Sequence, residues 1–125
     1  NAIWEGSGNV QCLDVLRAMQ KTPAVVDAFF REVGQARGAN AALDGWVTAL
    51  KKEFGDLSDL EYRARGVVDR MALAIQAALL VQHAPAAVAD AFCASRLSGE
   101  GHRNYGSLPR GVDCAAIIAR ATPRA

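Results

Sequence analysis

Residues 58–85 read SDLEYRARGVVDRMALAIQAALLVQHAP, and the fold class turns on this stretch. Leu60, Ala64, Val67, Val68, Met71, Ile75, Ala78 and Leu79 recur three and four residues apart, the period of a helix with one apolar face. Ser58-Asp59-Leu60-Glu61 has the form of a capping box, in which the serine and glutamate satisfy free N–H groups of a first turn. Pro85 ends the run, and His83 just before it suits the negative end of a helix dipole or a satisfied core position. A helix over about 60–83 is long. Its apolar positions widen toward the C-terminal half, so that half is expected to be the most buried part of the molecule. Arg63, Arg65 and Arg70 intersperse with Glu61 and Asp69 and read as a solvated face.

Similar punctuation appears on both sides. Upstream, Asn40 can cap a helix ended by Gly55, with Leu43, Trp46, Val47, Leu50 and Phe54 toward the core. Thr22-Pro23 opens a helix running to about Arg37 and stopping at Gly38, with Val25, Val26, Phe29, Phe30 and Val33 as its stripe. Ser7 or Asn9 can cap a first helix to about Lys21, with Val10, Leu13, Leu16 and Met19 on one face. Downstream, a helix from Ala86 to about Leu97 presents Val88, Ala91, Phe92 and Ser95 and stops at Gly99. A loop over 99–112 leads to Asp113, which can cap a short helix through Ile117 and Ile118 to Ala121. No alternating strand pattern of useful length and no solenoid repeat occurs. Turns of two to four residues between such helices imply antiparallel neighbours. The expected fold is all-α, an antiparallel bundle of about five to six helices.

Composition agrees. The chain has 125 residues, long enough for one core, and 51% of them are hydrophobic, too many for a disordered chain. The longest apolar run, Met71 to Val81, is broken by Gln76 and is too short to span a bilayer. Cys12, Cys93 and Cys114 lack zinc-ligand spacing and read as small buried apolar residues of a reducing, cytoplasmic setting, with no metal expected. The chain opens at Asn1 without an initiator methionine, and the expectation is a C-terminal piece of a longer protein. From Arg96 onward five arginines face Glu100 and Asp113, whereas residues 1–95 hold nine basic and eleven acidic residues. That modest basic excess permits an anionic partner.

The segment with the strongest chemical content is Trp4-Glu5-Gly6-Ser7-Gly8-Asn9. It sets a carboxylate beside an indole, then two glycines and two small polar residues, ahead of a helix. An apolar neighbour raises a carboxyl pKa by desolvating the anion, and such a base can take a proton from a weak carbon acid. Glycines let backbone approach a ligand, and a helix N-terminus suits an anionic group such as a pyrophosphate.

The stretch Ile3-Trp4-Glu5-Gly6-Ser7-Gly8-Asn9-Val10-Gln11 resembles the Glu-Gly-Thr-x-x-Ile-Gln segment of acyl-CoA dehydrogenases. Continued through Cys12-Leu13-Asp14-Val15-Leu16-Arg17, it is similar to the AidB-like branch of that family, associated with the adaptive response to DNA alkylation. The resemblance implies that Glu5 is the base removing the α-proton of an acyl-CoA thioester while the β-hydrogen leaves as hydride to FAD. It implies Trp4 and Gly6 at the substrate, with Gly6 against the thioester, and Ser7, Gly8 and Asn9 along FAD. Trp4 stands where the family usually has Tyr, and Ser7-Gly8 where it has Thr-x, as in the AidB-like branch. On this reading residues 1–21 end the family's C-terminal helical domain, and residues 22–125 are an AidB-like helical extension.

The FAD and acyl-CoA sites of such a protein are completed by an N-terminal helical domain and a β-domain, so this chain alone is expected to be inactive. The parent would be an FAD-dependent oxidoreductase, a homotetramer by resemblance. Two other readings concern the extension. Arg96, Arg103 and Arg110, in or beside the loop carrying His102 and Tyr105, could grip the phosphates of DNA, although no helix-turn-helix or zinc motif accompanies them. Otherwise the extension is a helical oligomerisation module.

Overall fold

The computed structural model describes residues 7–99 and 106–124. Six helices occur in order: α1 (Ser7–Lys21), α2 (Ala24–Gly34), α3 (Ala41–Phe54), α4 (Leu60–His83), α5 (Ala86–Arg96) and α6 (Cys114–Ala121). No strand occurs among the described residues. The molecule is an all-α bundle, as the sequence pattern implies.

Local chemistry sets most helix ends. The Asn40 side-chain carbonyl accepts from the Leu43 N–H at 3.1 Å and starts α3. Asp113 does the same for α6 through the Ala116 N–H at 3.0 Å. After α2 the chain tightens: the N–H groups of Gln35, Ala36 and Arg37 donate to carbonyls three residues back. Gly38 then takes a left-handed conformation, φ 85°, open to glycine at little cost. Its N–H is held by the Asp44 carboxylate at 3.1 and 3.2 Å. The connections over 35–40 and 55–59 are longer than the expected turns, because each includes such a side-chain-braced loop.

The capping box expected at Ser58 does not form. The Asp56 carboxylate captures Ser58 first, accepting from its N–H at 3.0 Å and its hydroxyl at 2.6 Å. Asp59, the residue before α4, is left-handed at φ 53° and its side chain makes no cap. Arg63 ties this loop instead, donating to the Ser58 carbonyl at 2.9 Å and the Asp56 carbonyl at 2.6 Å.

α4 is the hub, packed against α1, α2, α3 and α5. Its middle is lined by Ala74, Ala77 and Ala78, each fully buried, whose small side chains let neighbouring helices approach closely. Around them gather Val33, Ala36, Leu43, Leu50, Leu73, Cys93 and Leu97. A second cluster joins α1 to the first half of α4 through Cys12, Leu16, Met19 and Ala64. Phe54 and Met71 border both clusters. Phe30 meets Phe54 edge-on at 5.6 Å and Phe29 at 5.1 Å, favourable aromatic geometry.

Several expected core positions lie outside. Val10, Val25 and Leu79 are exposed, while Cys12, Leu73, Ala74 and Ala77 take buried places. A helix with neighbours on several sides does not bury a single stripe, so one-face periodicity chose the wrong rotation for these residues. α6 packs on α5, and none of its residues is buried. Cys114 is therefore exposed, contrary to the expectation for all three cysteines. No helix among the described residues is long and apolar enough to cross a membrane.

Candidate flavin-site segment

Trp4, Glu5 and Gly6 lie outside the described residues, as do His102, Arg103 and Tyr105. The structure does describe Ser7, Gly8 and Asn9, which form the first turn of α1. The N–H groups of that turn have no partner within the helix, and the turn itself holds no acidic residue to offset the positive end of the helix dipole. The Ser7 hydroxyl oxygen is buried and has no hydrogen-bond partner among the described residues. An unpaired buried hydroxyl costs about 1–3 kcal/mol unless a partner reaches it. Asn9 faces outward and its carbonyl oxygen accepts from Arg65 Nη1 at 2.8 Å. The Arg65 guanidinium lies over Gly8, where an added Cβ would stand 3.1 Å from Nη1 and 3.3 Å from Cζ. A cleft of about 260 Å³ opens beside this contact, with Asn9, Cys12, Leu13, Glu61, Tyr62 and Arg65 among its walls.

These features fit the edge of an FAD site. A buried hydroxyl with no partner among the described residues, N–H groups with no partner within the helix and a glycine backed by a cation suit oxygen-rich cofactor groups. Among the described residues no set of three or more His, Cys, Asp or Glu side chains could hold a metal ion.

The three arginines read from sequence as a solvated face divide. Arg70 and Arg63 both reach Glu53 on α3. Arg70 grips it with two nitrogens, Nε at 2.9 Å from Oε2 and Nη2 on Oε1. Arg63 Nη1 lies 3.3 Å from Oε1. Trp46 adds a bond from its indole N–H to the Arg70 carbonyl at 3.0 Å. Arg65 alone of the three turns to α1. Helix periodicity places the three arginines on α4 but carries no sign of these cross-helix partners.

The arginines considered for phosphate contact are spread apart in role. Arg96 is half-buried at the last turn of α5. Arg110 is exposed and lines a small cleft that also contains Asp90 and Asp113, whose carboxylates oppose an anion there. His83 is exposed and, with Phe92 and Arg120, lines an open groove of about 600 Å³.

No known family profile matches the chain, and no solved structure does. Among curated proteins the chain is 31% identical over 101 residues to the putative acyl-CoA dehydrogenase AidB of Escherichia coli (strain K12). That similarity covers 81% of this chain but 18% of the relative, so the chain spans less than a fifth of the protein it matches. On that similarity the chain belongs to the acyl-CoA dehydrogenase family, in its AidB-like branch.

Proposed function

We propose that this chain is the C-terminal part of a flavin-dependent acyl-CoA dehydrogenase-like oxidoreductase that performs α,β-dehydrogenation of an acyl-CoA thioester. The supporting observation is the first turn of α1. The residues that the resemblance assigns to FAD form a helix N-terminus whose buried Ser7 hydroxyl has no partner among the described residues, directly after the segment carrying Glu5. FAD, when bound, supplies the hydride acceptor.

The chain's own residues do the rest. Glu5 takes the α-proton on its carboxylate, and the indole of Trp4, next in sequence, limits water so that the base stays matched to a weak acid. Gly6 leaves room for the thioester. Ser7, Gly8 and Asn9 bind and orient the cofactor edge. Residues 1–21 complete the family's helical domain, and residues 22–125 form the extension that carries it. The isolated chain is inactive, because the rest of both binding sites comes from N-terminal and β-domains of the parent. The parent assembles as a homo-oligomer.

The test uses the full-length parent protein loaded with FAD and mixed without oxygen with a panel of acyl-CoAs. Bleaching of the flavin absorbance by at least one acyl-CoA, slowed about 100-fold or more in Glu5→Gln, supports the reading, since general-base catalysis contributes about 10²–10⁴-fold. A yellow protein that no acyl-CoA bleaches, or a Glu5→Gln variant as fast as the native one, overturns it.

A further inference from the structure

Arg65 is out of place if stability is its purpose. Its neighbours Arg63 and Arg70 share the Glu53 carboxylate, whereas Arg65 turns the other way, to Asn9 on α1. It sets a positive charge at the positive end of α1, which works against the helix dipole. Its bond to Asn9 is exposed, and exposed polar links contribute little to folding. Yet the geometry is specific. One nitrogen holds Asn9 at 2.8 Å, and the guanidinium covers Gly8 so closely that a methyl group there would stand 3.1 Å from it and require it to give slightly. The arginine sits 56 residues from Asn9 in the chain and comes from α4, the hub helix, whose own position is fixed by packing on four others.

We infer that Arg65 is a positioning residue for the flavin site. It locks the first turn of α1 to α4 and so fixes the direction of Ser7, Gly8 and Asn9, a run that begins two residues beyond Glu5. The inference rests on the proposed flavin site and adds a role for the extension: α4 holds the cofactor-lining turn in register. An arginine is needed, because its planar fork can bond Asn9 and cover Gly8 at once, whereas a lysine ammonium is a point charge on a flexible stem.

The test uses the full-length FAD-loaded protein with Arg65→Gln, Arg65→Lys, Asn9→Ala and the Arg65→Gln/Asn9→Ala pair. Four properties are read: flavin reduction at saturating acyl-CoA, apparent acyl-CoA affinity, the visible circular dichroism of the bound flavin, and the unfolding midpoint. Arg65→Gln is expected to slow reduction about 10- to 100-fold, the effect of a small misplacement of reacting groups. Affinity should change little, and the flavin dichroism should alter with the unfolding midpoint nearly constant. Arg65→Lys should recover only part of the rate, and the pair should be no worse than the stronger single variant.

If no acyl-CoA reduces the native flavin, the dehydrogenase reading fails, and Arg65 is then judged on the dichroism alone. An unchanged dichroism and rate in Arg65→Gln overturns the inference. So does a lowered midpoint with an unchanged flavin signal, or full additivity of the two substitutions.

Discussion

Three cysteines in one small chain meet three different environments. Cys12 and Cys93 are buried, one in each core cluster, while Cys114 begins α6 in the open. Burial pushes the Cys93 thiol above its ordinary range, and the nearby Asp90 carboxylate adds to the shift. The thiolate is the reactive form, so Cys114 should react with a neutral thiol reagent at pH 8 well before the other two, all three reacting together only in denaturant. Equal rates for Cys93 and Cys114 in the folded chain would contradict the described core.

The sign for stability follows from the raised value. The folded chain keeps Cys93 protonated where the unfolded chain would lose the proton. Its contribution is thus complete below the unfolded thiol value of about 8.5 and declines as pH rises through the folded value. At this scale the sequence was partly legible. Apolar context marked Cys12 and Cys93 correctly, but nothing local to Cys114 shows that α6 lies on the surface, touching α5 and burying none of its own residues.

Elements were most legible where their ends are set by near neighbours. Asn40 and Asp113 cap α3 and α6 through bonds three residues away, and Pro85 follows the end of α4 at His83 as its missing N–H requires. The start of α4 was misread because two local partners compete for Ser58, and Asp56 wins by reaching both its N–H and its hydroxyl. Those two bonds hold the exposed Asp56 carboxyl below its usual range.

Links between elements left no local trace. Glu53 pins α3 to α4 by holding both Arg63 and Arg70 with its side chain 21% exposed, so neither the full desolvation of a buried ion nor the free hydration of a surface pair applies. Glu53→Ala removes this node and leaves two arginines facing each other. It should cost about 1–2 kcal/mol, between exposed and charged buried bonds, read as a lower urea midpoint. A midpoint within error of the native chain would mean that the apolar contacts of α3 and α4 suffice.

At the scale of the whole molecule, the bundle is organised around one helix whose centre is alanine. That choice makes α4 both the deepest element and the one able to touch four neighbours. Helix count, order and the burial of the C-terminal half of α4 could be read from periodicity. Which of its faces meets which partner could not, as Leu79 on the surface and Ala74 in the centre show. The candidate site divides in the same way. Its motif was legible as a run of consecutive residues, whereas the arginine that backs it stands 56 residues from Asn9 and meets it only in the fold.

The central claim, that this chain carries the carbon-acid base of a flavin enzyme, is tested most directly by following that proton. Full-length FAD-loaded protein is incubated in deuterium oxide with an acyl-CoA analogue whose β-carbon bears no hydrogen, so that hydride loss is blocked. Deuterium entering the α-position is measured by mass spectrometry. Exchange by the native protein and none by Glu5→Gln is the predicted result. Equal exchange in both, or none in either while the analogue is bound, would contradict it.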